Sequence, residues 1–216
     1  MILFALYYGL RRSEICGLKW QAINHKNTIT DYYDNSWPGS FVINHTAVPS
    51  AGKTYYKDST KSDASEASFV LLPEIHQLLL LLKEKQLAEK KLLGNSYEDN
   101  PYVFKLNNGT AYKPDYLSVK FRTMIKRAGL RKIRFHDLRA SCACMLLEKG
   151  WDLKHIQEWM RHADIETTGN IYLHIRKKQA INMKTDLSFT YNIPATQNVP
   201  QNVPQPSTKL LLEGAS

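Results

Sequence analysis

The sequence predicts an α+β domain, mostly helical with one small antiparallel sheet. Three observations carry that prediction. After residue 73 the chain is a series of helical segments that open at Pro-Glu, Pro-Asp or Asp and close at Gly. Residues 27–73 alternate Thr, Tyr, Val, Ile and Phe with polar residues, the pattern of short half-buried strands. The chain of 216 residues is 43% hydrophobic, enough for one domain with a real core.

Residues 1–20 read as a helix with a weak spot at Gly9 and a charged patch at Arg11, Arg12 and Glu14. Strands are expected near 28–33, 40–48 and 67–72, with turns at Trp37-Pro38-Gly39 and Ala51-Gly52-Lys53. Pro73-Glu74 opens a long helix to about Leu93, stopped by Gly94-Asn95. Residues 102–105 form a short extended piece and Asn108-Gly109 a turn. Pro114-Asp115 starts a helix that closes near Ala128-Gly129. Further helices are expected over 136–149 (stopped by Gly150), 152–161 and 165–184. From Ser188 the composition shifts to Pro, Gln, Asn and Ser, with Gln197-Asn198-Val199-Pro200 repeated at Gln201-Asn202-Val203-Pro204. Such a segment buries little apolar surface, so 188–216 is expected to be a disordered tail behind a domain of residues 1–187.

Charge narrows the function classes. Lys and Arg number 29 against 20 Asp and Glu, a net +9. A cationic surface attracts polyanions by Coulomb force and counterion release, so nucleic acid is the first partner to consider and an anionic membrane the second. Three cysteines, Cys16, Cys142 and Cys144, make no disulfide framework, and no Cys/His set has zinc spacing. They read as small buried or half-buried side chains in a reducing compartment. Met1 to Tyr8 is too short for a leader, and Leu78 to Leu82 is too short to span a bilayer.

Four segments carry possible chemistry, and each has a bland reading. In Gly9-Leu10-Arg11-Arg12-Ser13-Glu14, Arg11 and Glu14 at i, i+3 can simply pair. In His136-Asp137-Leu138-Arg139, the His and Arg share a helix face and can address one anion, or be a surface His beside a solvated Arg. In the stretch from Arg161-His162 to Tyr172, Asp164 can cap a helix carrying Tyr172, which is one of 12 tyrosines and otherwise reads as packing. Thr60-Lys61-Ser62 sits at a hairpin tip, where lysines are usually only solvated.

Taken together, the order Arg, Lys, His-x-x-Arg, His, Tyr resembles the tyrosine recombinases of the phage integrase family. Gly9-Leu10-Arg11 with Ser13-Glu14 resembles their first arginine box. His136-Asp137-Leu138-Arg139 resembles the second, and His162 through Tyr172-Leu173-His174 the nucleophile box. Thr60-Lys61 before a strand ending at Leu71-Leu72-Pro73 resembles their lysine hairpin. The likeness runs over residues 1 to 185, and is nearest to integrases of bacterial phages and conjugative elements. It implies a catalytic set of Arg11, Lys61, His136, Arg139, His162 and Tyr172, with no cofactor and no metal. It also implies a site-specific recombinase acting on double-stranded DNA in the bacterial cytoplasm, as a tetramer that exchanges a C-terminal segment such as 175–190.

That set suits phosphodiester exchange. Two guanidiniums, Arg11 and Arg139, can clamp the non-bridging oxygens where negative charge grows. Tyr172 is the nucleophile, and its hydroxyl, with an ordinary pKa of about 10, needs nearby positive charge or a base. His136 is the base or a phosphate donor, His162 a phosphate donor, and Lys61 the acid for the leaving 5′-hydroxyl. Phosphate positioning is assigned to the basic stretch Lys113, Lys120, Arg122, Lys126, Arg127, Arg131, Lys132 and Arg134. The chain departs from the family pattern in three places. Arg161 replaces the usual Gly before His162, Ala67 replaces an Arg, and Glu66 adds a negative charge. Family members carry an N-terminal helical clamp domain, so the catalytic domain is expected to be N-terminally incomplete here. Two other activities share these residues: relaxation of DNA in the manner of a type IB topoisomerase, and binding by a truncated non-catalytic remnant.

Overall fold

In a computed structural model, which describes residues 1–26, 28–30, 34–50, 53–58, 67–161 and 169, the helix expected over 1–20 divides in two. The all-apolar α1 (Ile2–Tyr7) stops at Tyr8, the chain turns through Gly9 at φ +63°, and α2 (Arg12–Gly17) restarts beyond it. Position 9 favours glycine by its backbone conformation, and a Cβ there, 2.6 Å from the Met160 sulfur, would force the Met160 side chain to move. Tyr8 is buried behind the turn, and its hydroxyl accepts the Leu72 N–H at 3.0 Å.

The α+β class holds, and the expected sheet divides into three antiparallel ladders. β1 (Ile23–Asn24), β4 (Ser40–Ile43) and β7 (Ala67–Val70) form a three-stranded sheet in the order β1-β4-β7, with Phe41 opposite both Ile23 and Phe69. β2 (Ile29–Thr30) pairs with β3 (Ser36–Trp37), and β5 (His45–Ser50) with β6 (Lys53–Asp58). The strand expected over 40–48 breaks at Asn44 into β4 and β5. β6 was not expected, because Lys53-Thr54-Tyr55-Tyr56-Lys57 shows no alternation of burial and Tyr55 and Tyr56 are exposed. β5 lies tight against the end of α2: a Cβ on Gly17 would be 2.7 Å from the Thr46 Cα.

The remaining helices fall close to where the sequence puts them. α3 (Pro73–Leu93) begins at a proline, ends at Gly94 with φ +52°, and buries Ile75, Leu79 and Gln86. The buried Gln86 amide is satisfied, accepting from Trp20 Nε1 at 3.0 Å and donating to the Val103 carbonyl at 2.7 Å. The expected extended piece contributes isolated bridges, Lys19 to Tyr102 and Lys105 to Ala111. α4 (Pro114–Arg127) buries Leu117, Phe121 and Ile125, a stripe at four-residue spacing. α5 (Asp137–Glu148) follows, then α6 (Leu153–Met160), capped by Asp152 accepting the His155 N–H at 2.9 Å. The helix expected over 165–184 and the tail from 188 lie outside the described residues, apart from Gly169.

The main core joins α1, α2, the β1-β4-β7 sheet, α3, α4 and the start of α5. A second cluster, Cys142, Ala143, Ile156 and Met160, lies between α5 and α6, and Trp159 packs against both. Tyr8, Phe41, Phe69 and Trp159 form an aromatic floor, with Phe41 and Phe69 stacked at 5.3 Å and Trp159 edge-on to Phe69 at 5.1 Å. Cys16 and Cys142 are buried, Cys144 is half-buried, and none forms a disulfide. Burial pushes the Cys16 thiol up to about 12, so it is inert at neutral pH. Among the described residues, no helix is long and apolar enough to cross a membrane.

Candidate active site

Three stretches, the first more than a hundred positions from the other two, meet around one cleft of about 880 Å³. The α1–α2 turn supplies Leu10, Arg11, Arg12 and Ser13. The outer face of α4 supplies Ser118, Phe121 and Arg122. The approach to α5, residues 132–137, supplies Lys132, Ile133, Arg134, Phe135, His136 and Asp137. Five of these residues are Lys or Arg and one is acidic, so the cleft is built for an anion.

Arg11 stands at the N-cap of α2. Its backbone N–H donates to Glu14 Oε2 at 2.7 Å and its Nη1 to Glu14 Oε1 at 3.1 Å. The bland i, i+3 pairing is therefore real, and it coexists with a place in the cleft wall. Glu14 itself is buried, and its Oε2 also accepts Arg161 Nη2 at 2.8 Å. Arg12, next in sequence, also lines the cleft but bonds across it: Nη1 lies 3.2 Å from Asp115 and donates to Ser118 Oγ at 3.0 Å, tying α2 to α4.

His136 and Arg139 do not share an exposed face. His136 is the N-cap of α5 and stands exposed at the cleft, whereas Arg139 is buried, 3% exposed, and does not line the cleft. The Arg139 guanidinium donates from Nη1 to the Gly9 carbonyl and from Nη2 to the Met160 carbonyl, stapling the α1–α2 turn to the end of α6. Helical spacing fixed the direction of both side chains, but not the packing of α1 and α6 over the second. Burial, then the charge of Arg11, pushes Arg139 down to about 10 while Glu14 opposes, so it stays charged at neutral pH. Desolvation against the cleft wall, then Arg139 and Arg11, hold His136 below the ordinary imidazole value, with Asp137 opposing.

Of the eight basic residues assigned to phosphate positioning, all are exposed and three, Arg122, Lys132 and Arg134, line the cleft. Arg134 is partly engaged, its Nη2 lying 2.9 Å from Asp137. Lys120 stands 5.3 Å over the Tyr116 ring, and Lys113, Lys126, Arg127 and Arg131 lie outside the cleft wall. Lys61, His162 and Tyr172 lie outside the described residues, as does Glu66. Arg161 takes the left-handed conformation, φ 52° and ψ 48°, at the end of α6, which is the geometry a glycine would accept there. Its link to Glu14 was not visible in the sequence, because 147 positions separate them.

The model of the phage integrase family matches residues 1–179. The chain is 30% identical over 189 residues to a tyrosine recombinase XerC-like protein of Caldanaerobacter subterraneus subsp. tengcongensis, covering 84% of this chain and 46% of that one. It is 28% identical over 185 residues to the ICEBs1 integrase of Bacillus subtilis, covering 81% and 45%. The chain thus spans about half the length of the curated relatives it matches. Among solved structures, the Tn1549 transposon integrase in complex with transposon right end DNA shares the fold, with a TM-score of 0.63 at 19% identity over 79% of this chain and 52% of that one. With the family model spanning most of the sequence, and the boxes of Arg11 and His136 folded onto one basic cleft, the chain belongs to the phage integrase family.

Proposed function

We propose that this chain is the catalytic domain of a tyrosine-type site-specific recombinase, which cuts and rejoins DNA through a 3′-phosphotyrosine. The observation that supports it most is the convergence of Arg11 and His136 on one cationic cleft, with the buried, charged Arg139 close enough to depress the His136 pKa. The family relatives and the DNA complex of the Tn1549 integrase point the same way.

In this reading a DNA phosphate enters the cleft, and Arg11, backed by the field of Arg139, stabilises the charge that builds on its non-bridging oxygens. The Tyr172 oxygen attacks phosphorus, and its proton passes to His136, which is held in the neutral, proton-accepting form. The bond from phosphorus to the 5′-oxygen breaks, and Lys61 protonates that oxygen. His162 donates a hydrogen bond to the phosphate. A 5′-hydroxyl from another strand reverses the step, so the bond energy is conserved and no nucleotide is consumed. Arg122, Lys132 and Arg134 contact flanking phosphates and set the register of the duplex. Assembly as a tetramer on two duplexes, through residues 175–190, belongs to the same proposal.

A nicked suicide duplex carrying the attachment site tests it. The expected result is a covalent protein–DNA adduct that disappears in Tyr172→Phe. Salt-sensitive binding without an adduct from the unaltered chain would sink the catalytic reading in favour of a binding remnant. Joining between two duplexes, rather than relaxation of one, separates recombination from a topoisomerase activity.

A further inference from the structure

Arg161 is one of two non-glycine residues at positive φ among the described residues, the other being Asp34. A large side chain in that conformation is strained and persists only where its surroundings over-determine it. Here they do. The Arg161 side chain is 22% exposed, its guanidinium carbon lies 5.6 Å over the Phe69 ring, and Nη2 reaches Glu14 Oε2 at 2.8 Å. Glu14, with a side chain 7% exposed, is thereby held from both sides: Arg161 on Oε2, and the Arg11 backbone N–H and Nη1 on Oε2 and Oε1.

We infer that Arg161 is a positioning residue for Arg11: by gripping Glu14 from the end of α6, it fixes the carboxylate that holds the Arg11 guanidinium at the cleft. A buried carboxylate with Arg11 as its sole ionic partner would draw that guanidinium inward and compete with an incoming phosphate. Sharing Glu14 between two guanidiniums weakens the competition and leaves the cluster of Arg11, Arg139 and Arg161 against Glu14 net cationic. It also ties the residue immediately before His162 to the residues that orient Arg11. A role as a merely solvated cation does not fit a side chain so enclosed and so paired. The inference rests on the reading of Arg11 as a phosphate-contacting group.

The test is a double-mutant cycle on binding, which needs no cleavage. Arg11→Ala is measured in the unaltered chain and in the Arg161→Gly background by fluorescence anisotropy with a short labelled DNA duplex of arbitrary sequence. Thermal unfolding is followed alongside. Glycine accepts the left-handed turn, so Arg161→Gly is expected to stay folded. Arg161→Asn, which also tolerates that turn, serves as a second background. The expected result is that Arg11→Ala weakens binding about fivefold in the unaltered chain and less than about twofold in both Arg161 backgrounds, a coupling normal for residues sharing a partner. Arg161→Lys, which keeps a charge facing Glu14, should restore most of the Arg11 effect. A purely structural Arg161 would shift the unfolding temperature and leave the Arg11 factor the same in every background. That equality overturns the inference while the reading of the cleft stands. If Arg11→Ala leaves binding unchanged in the unaltered chain, the phosphate role of Arg11 falls, and the inference with it.

Discussion

Arg139 is at once part of the candidate site and a brace for the fold. Its two terminal nitrogens satisfy the carbonyls of Gly9 and Met160 in a buried setting, where losing one charged donor strands an acceptor. Arg139→Lys, with one compact charge in place of a planar fork, is expected to destabilise the domain by about 2 kcal/mol in urea unfolding. A change below a few tenths would show that the staple carries no weight. At His136 the sign of the pH effect follows from its depressed pKa. The folded state favours the neutral ring, so this contribution to stability is present above the ordinary value of about 6.5 and is lost as pH falls through the lower folded value. Unfolding midpoints measured across that window should fall with acidification, and fall less in His136→Gln.

Between elements, two close approaches hold α2 and α4, which carry two walls of the cleft. Gly17 lets the end of α2 sit on β5, where a Cβ would lie only 2.7 Å from the Thr46 Cα. Gly17→Ala is therefore expected to cost about 1–3 kcal/mol through overpacking against backbone, read as a lower denaturation midpoint with an unchanged slope. α4 forms the opposite wall, held by Leu117, Phe121 and Ile125, with the Phe121 ring edge-on to Phe135 at 5.3 Å just before His136. Phe121→Ala should cost about 3–5 kcal/mol, and should weaken duplex binding as well, because it loosens the wall that carries Arg122 and the approach to α5. Intact binding in a folded Phe121→Ala would show that α4 does not shape the site.

For the molecule as a whole, the net charge of +9 matters through where it is placed. Arg122 and Lys132 line the cleft, whereas Arg127 and Arg131 do not. Charge neutralisation of Arg122 or Lys132 to Gln should lower duplex affinity and reduce the slope of log affinity against log salt by about 1 for each phosphate that is no longer neutralised. The same change at Arg127 should leave that slope nearly as it was. Equal effects at both kinds of position would mean that the attraction is diffuse and that the cleft does not select the phosphates.

The local signals held wherever a residue type dictates its own backbone. Proline and aspartate starts and glycine stops placed α3, α4, α5 and α6 close to their observed bounds, and the boxes at Arg11 and His136 were visible because each is contiguous. Signals failed where an outcome depended on what lay across the fold. The weak spot at Gly9 is a full break, onto which Met160 and Arg139 converge, β6 exists by pairing with β5 rather than by burying a face, and Arg139 bonds to segments 130 and 21 positions away. Chain chemistry alone thus determined which groups are present and how each helix begins and ends. Which guanidinium faces the cleft, which is buried as a brace, and which grips Glu14 was decided only when distant segments competed for the same few carbonyl and carboxylate oxygens, a competition that sequence spacing does not encode.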